Sequence, residues 1–174
     1  YMIKIIIIIM LLLITISYSS SKKSSDNSLY ELAPDFEAIN DNGEGIRLKN
    51  YLGNYIILYF FPRAFTPGWT KQACGFRDKY DIFKQNNIEI IGISYDSPER
   101  LKKFKEKHNI SFMFLSDKNK KISKLYNANG FLFPSRKTVI IDTSGYMIKI
   151  YDKISIDTHP EDILDFISDY KKSK

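Results

Sequence analysis

The sequence predicts one α/β domain, a mixed central β-sheet covered by helices, and three observations carry that expectation. Two apolar runs rich in β-branched and aromatic residues, at 56–61 and 88–94, lack polar alternation and read as strands buried on both faces. Around them lie segments whose apolar residues recur every three or four positions, the period of a helix with one buried stripe. From Leu29 onward no internal repeat, low-complexity stretch or linker interrupts the chain. The order that follows an opening hairpin, roughly β-α-β-α-β-α-β-β-α, therefore belongs to a single folding unit.

Each element has a local cause. Asp41-Asn42-Gly43-Glu44-Gly45 lies between the short apolar stretches 36–39 and 46–48 and predicts an N-terminal β-hairpin with an Asn-Gly turn. The run 56–61 is stopped by Pro62. After Pro67-Gly68, the residues Trp69, Ala73, Phe76, Tyr80 and Phe83 fall at spacings of 4, 3, 4 and 3, which puts them on one helix face. Ser97-Pro98 begins another helix, with Ser97 as its cap and Pro98 in its first turn; the lysine-rich run 102–107 is its solvated face. Strands at 138–142 and 147–151 flank the tight turn Ser144-Gly145-Tyr146 and pair antiparallel. A last amphipathic helix runs from His159-Pro160 through Ile163, Leu164, Phe166 and Ile167.

The first 28 residues stand outside this pattern. Lys4 is followed by an apolar run of about 12 residues, an h-region length and well short of the roughly 20 needed to span a bilayer. Ser17 and Ser19 flank Tyr18 as a small-x-small cleavage site, and a Ser-rich stretch with Lys22 and Lys23 follows. The expectation is a leader over residues 1–28 and a domain over 29–174. Such a leader enters the secretory pathway, and its two-part form suits a plastid-type organelle; plain secretion is the alternative. The chain opens with Tyr1 rather than Met.

Composition removes several function classes. With 44% hydrophobic and 26% charged residues the 174-residue chain is neither disordered nor fibrous. Its net charge is +6, but no basic block interleaved with aromatics marks a nucleic-acid partner. The single cysteine, Cys74, excludes an intrachain disulfide, a Cys-rich zinc site and a two-cysteine redox cycle within one chain. His108 and His159 have no second ligand at metal spacing, so no metal is expected. A Gly-rich phosphate loop and a Gly-x-Ser-x-Gly elbow are both missing.

The segment Pro62-Arg63-Ala64-Phe65-Thr66-Pro67-Gly68-Trp69-Thr70-Lys71-Gln72-Ala73-Cys74-Gly75-Phe76-Arg77-Asp78 resembles the active-site loop and helix of the peroxiredoxins, in their bacterioferritin-comigratory or Q-type branch. The likeness continues in Ala33-Pro34-Asp35-Phe36, the strand end at 59–62, Asp117 and Arg136-Lys137-Thr138-Val139-Ile140-Ile141-Asp142, covering nearly all of residues 29–172. The resemblance implies a thioredoxin-like fold. It also implies a thioredoxin-dependent peroxidase that reduces hydrogen peroxide and organic hydroperoxides with no cofactor. The family pattern Pro-x-x-x-Thr-x-x-Cys ends in the peroxidatic cysteine, whose thiolate attacks a peroxide oxygen and becomes a sulfenic acid. Here Pro62 and Thr66 match, and Trp69 stands where that cysteine belongs. By resemblance Arg136 supplies the cation that favours the thiolate, Thr66 hydrogen-bonds the peroxide, Pro62 shields the site from water, and Cys74 holds the resolving position five residues on.

Three functions stay open at this level. The chain is a Q-type peroxiredoxin in role, or a redox-silent relative that acts by binding, with Trp69 packed into the pocket. The third is thiol exchange through Cys74 alone, with Lys71 and Arg77 three residues to either side as cations that favour a thiolate. Peroxide and a thioredoxin-type reductant are the implied partners. Neither nucleic acid nor membrane is expected once the leader is gone, and the resemblance suggests a monomer or weak dimer.

Overall fold

In the computed structural model, which describes residues 30–173, the strands are β1 (Glu37–Asn40), β2 (Gly45–Arg47), β3 (Tyr55–Phe60), β4 (Ile88–Ser94), β5 (Met113–Ser116), β6 (Lys137–Ile141) and β7 (Met147–Tyr151). The helices are α1 (Pro67–Asp78), α2 (Tyr80–Gln85), α3 (Pro98–Lys107), α4 (Lys121–Leu125) and α5 (His159–Lys172). The leader expected over residues 1–28 lies outside the described residues. One seven-stranded sheet runs in the order β2-β1-β5-β4-β3-β6-β7. It is mixed: β3 pairs parallel with β4, and β4 with β5, whereas β6 joins β3 antiparallel.

The apolar run 56–61 sits where burial on both faces is needed, while the run 88–94 carries Glu89 half-buried and paired with Lys84. Every residue of β3 is buried, and its side chains alternate between two cores. Ile57 and Tyr59 face Phe76, Phe83, Phe104, Phe112 and Phe114 on one side, while Ile56, Leu58 and Phe60 face Phe36, Leu115, Ile122 and Tyr126 on the other. The hairpin forms as expected, with Gly43 at φ 84° in its turn and the Asn40 side-chain oxygen accepting from the N–H groups of Asn42 and Glu44. Ser97 caps α3 by accepting from the Arg100 N–H.

Three local expectations are corrected. The predicted helix through Phe83 breaks at Lys79 into α1 and α2. Phe76 and Phe83 nonetheless remain fully buried in one core with Tyr80 packed against it, so the apolar stripe outlasts the break. Lys105 leaves the solvated face of α3 to pair at 2.9 Å with the buried carboxylate of Asp41, which also accepts from the Phe114 N–H. His159 is not an ordinary polar residue at a helix start. It is buried between Phe76 and Tyr151, with Nε2 2.9 Å from the Thr138 hydroxyl.

Two predictions arise from this core. A Cβ added at Gly92 would lie 2.6 Å from the Phe114 ring and 2.8 Å from the Tyr59 hydroxyl, and both rings are buried. Gly92→Ala is expected to cost about 2 kcal/mol by overpacking, read as a lower urea midpoint; an unchanged midpoint would show that the rings can yield.

Burial holds the His159 imidazole neutral and moves its pKa down to about 4, against an opposing pull from Asp162. The unfolded chain therefore takes up a proton between pH 6.5 and about 4 that the folded chain refuses. Stability from this group is fully present above pH 6.5 and is expected to fall by about 2 kcal/mol as pH drops from 7 to 4.5. In His159→Asn that share of the loss should vanish. Equal pH slopes for the two proteins in denaturant titrations would refute the assignment.

Candidate functional site

The carboxyl end of β3, an interior strand, delivers Phe61 and Pro62 to the end of the sheet, and a short loop turns the chain into α1. Phe61 still donates to the Ile93 carbonyl at 3.0 Å, while Pro62 and Thr66 are half-buried. Phe65 takes φ 69°, a left-handed conformation uncommon for a bulky residue. Its ring is held edge-on against Phe104 at 5.3 Å, beneath the Arg100 guanidinium at 5.1 Å. Thr66, in extended conformation, is the first residue ahead of α1; Pro67 begins the helix, as its fixed φ and missing N–H favour. The Thr66 hydroxyl donates to the Arg63 carbonyl at 3.0 Å and makes no cap bond to the helix.

This loop is tied down by residues the sequence reading did not single out. The Asp96 carboxylate accepts from the buried Ala64 N–H at 2.7 Å and from the Ser94 hydroxyl at 3.1 Å. Arg100 donates to the Ala64 carbonyl at 3.0 Å, and its Nε lies 2.9 Å from Asp96, an ion pair whose angle does not make a hydrogen bond. Asp96 stands just ahead of the Ser97-Pro98 helix start. That signal reads as capping, and nothing in it points across to the β3 loop.

Trp69 is the third residue of α1, where helix N–H groups lack partners within the helix and the backbone dipoles favour negative charge. Its indole is half-buried against the core. Arg136, far along the chain and just ahead of β6, lies over this ring, with the guanidinium carbon 4.3 Å from its centroid. Of the five residues singled out in the sequence, Trp69 and Arg136 are thus in direct contact, and Pro62 and Thr66 belong to the loop that leads into the same helix turn.

Cys74 lies further along α1 and is half-buried. Of the two cations expected beside it, Lys71 pairs with Asp157, whereas Arg77 stays within electrostatic range of Cys74 while bonding Asp78 and the His108 carbonyl. Asp117, part of the likeness, does structural work, with its carboxylate accepting from the Ile122 and Ser123 N–H groups and the Ser123 hydroxyl at the start of α4. Among the described residues no group of three His, Cys, Asp or Glu is placed to hold a metal ion. A cleft of about 420 Å³ lies between the hairpin and α4, lined by Glu37, Ile39, Arg47, Ser116 and Asn119, and includes none of the five candidate residues.

The sequence pattern of the AhpC/TSA family matches residues 30–150, a stretch that contains all five. The chain belongs to this family. Within it, the chain is 38% identical over 145 residues to Peroxiredoxin Bcp of Bacillus subtilis (strain 168), covering 79% of this chain and 92% of that protein. It is 39% identical over 123 residues to Peroxiredoxin Q, chloroplastic, of Oryza sativa subsp. japonica, covering 69% of this chain and 57% of the rice protein. Peroxidoxin BcpB from Mycobacterium tuberculosis superposes with a TM-score of 0.75 at 30% identity, over 79% of this chain and 94% of that structure. The thioredoxin-like fold expected from the peroxiredoxin resemblance is the fold observed.

Proposed function

We propose that this AhpC/TSA-family domain is by lineage a peroxide reductase served by a thioredoxin-type protein, with Trp69 at the position of the attacking cysteine. The observation that carries the reading is the Arg136 guanidinium lying 4.3 Å over the Trp69 ring. A cation held at the third residue of a helix is the setting a thiolate needs, since both the dipoles and the guanidinium lower a thiol pKa. An indole under that cation has no lone pair able to open an O–O bond. The chain with Trp69 therefore keeps the scaffold of a peroxidase and lacks its nucleophile. Thr66 would bind the peroxide, Pro62 would keep water away, and Cys74 would take the resolving role. The leader over residues 1–28 and the chloroplastic rice relative support delivery to a plastid-type organelle.

The test restores the missing atom and follows the covalent product. In Trp69→Cys, one equivalent of hydrogen peroxide should convert the new thiolate to a sulfenic acid with release of water. Attack by the Cys74 thiol should then close a disulfide and release a second water. Intact-mass analysis should show a loss of two hydrogens that thioredoxin reverses and that Cys74→Ser prevents. A folded Trp69→Cys protein whose mass does not change with peroxide would remove position 69 from the reaction.

A further inference from the structure

The loop between α4 and β6 raises three consecutive apolar side chains off the surface. Phe131 is 90% exposed, Leu132 67% and Phe133 42%, and Leu125 of α4 is exposed as well. The neighbouring sequence is one-signed: Lys118, Lys120, Lys121 and Lys124 precede the tip, and no carboxylate occurs between residues 118 and 136. Asp117, the acid just before, is buried and satisfied by three donors of α4. Lys120 couples the two features, because its ammonium donates to the Phe131 carbonyl at 2.6 Å while lying 5.2 Å over the Tyr95 ring. The tip is thereby held beside the lysines.

We propose that this tip docks the domain on an anionic lipid surface, Phe131 and Leu132 entering the boundary between headgroups and acyl chains while the lysines meet lipid phosphates. Apolar side chains beside a run of cations are the combination that binds such a surface without crossing it, and no helix among the described residues is long and apolar enough to cross. A second copy is a poorer occupant, since a two-fold contact through the tip would bring the two lysine clusters together. Single-stranded nucleic acid would use the charge and the phenyl rings but leaves Leu132 without a role. The sequence reading expected no membrane contact from the domain; it had no means of seeing the tip exposed.

The experiment is amide hydrogen exchange on the full chain, with a readout local to the tip so that the apolar leader does not dominate it. Exchange at residues 131–133 should slow several-fold on vesicles of phosphatidylcholine and phosphatidylglycerol in equal parts, and not on phosphatidylcholine alone. The slowing should vanish in Phe131→Ser/Leu132→Ser and in Lys121→Glu/Lys124→Glu, all exposed positions at which melting should be unchanged. Absence of slowing, equal slowing on neutral vesicles, or slowing that survives either double substitution overturns the proposal. So does the same protection from a single-stranded oligonucleotide, or from raised protein concentration without vesicles, which would assign the tip to a polyanion or to a second copy.

Discussion

Trp69→Cys is expected to raise thioredoxin-dependent peroxide consumption by at least about 10³-fold over the chain with Trp69, the scale on which removal of a catalytic nucleophile is felt. The electrostatics needed are already in place. Position 69 is the third residue of α1, and Arg136 is held over it by a contact with the indole. Exchanging the indole for a thiol removes a cation–π contact of about 1 kcal/mol, and the guanidinium then has the thiolate as its natural partner. Trp69→Ser makes the same space without a nucleophile and should stay inactive. Arg136→Leu in the Trp69→Cys protein should cost about 10²-fold, as loss of one preorganised charge does. The rates are measured with hydrogen peroxide, thioredoxin and its reductase. Turnover by the chain with Trp69 that disappears in Cys74→Ser would move the nucleophile to Cys74 and set this account aside.

Asp96→Ala is expected to destabilise the fold by about 3 kcal/mol, with most of the loss coming from hydrogen bonds rather than from the ion pair. Arg100 is 39% exposed, so its pairing with Asp96 is screened by water. The Asp96 side chain is only 8% exposed, and without it the buried Ala64 N–H and the Ser94 hydroxyl lose their acceptor. An unsatisfied buried donor costs about 1 to 3 kcal/mol. The same change should loosen the loop that carries Pro62 and Thr66. In the Trp69→Cys protein it is therefore expected to lower peroxide consumption by up to about 10²-fold, the cost of a misplaced recognition group. Asp96→Asn keeps one acceptor and should recover part of both losses. Denaturant midpoints and peroxide rates read the two effects separately, and a midpoint unmoved by Asp96→Ala would show that Ala64 finds another partner.

The site was legible to different depths at different residues. Thr66-Pro67-Gly68-Trp69 announced a helix start, and the family pattern assigned Pro62, Thr66, Trp69, Cys74 and Arg136 roles that await the experiments above. The Asp96 strap was not legible, because Asp96 before Ser97-Pro98 looks like any acidic residue near a helix cap. Its bond to Ala64 exists only because parallel pairing of β3 with β4 brings the two strand ends side by side. His159 was misread for a related reason. Its neighbours in sequence say helix start, while its partners Thr138, Phe76 and Tyr151 come from three other elements.

What the sequence determined by itself was whatever local periodicity and local sterics control. The apolar runs specified buried strands, short apolar stretches around Asn-Gly specified the hairpin, and Ser97-Pro98 specified a helix start. The lone cysteine and the indole at position 69 limit the chemistry whatever the fold. The tertiary structure decided which distant groups meet: Arg136 over Trp69, Asp96 under Ala64, Lys105 on Asp41, and His159 inside the core. It also decided which apolar residues stay outside, as at Phe131 and Leu132. A residue's type and spacing fix the face it offers, but the partner on that face is set by strand order and helix docking, which bring together side chains that have no periodic relation along the chain.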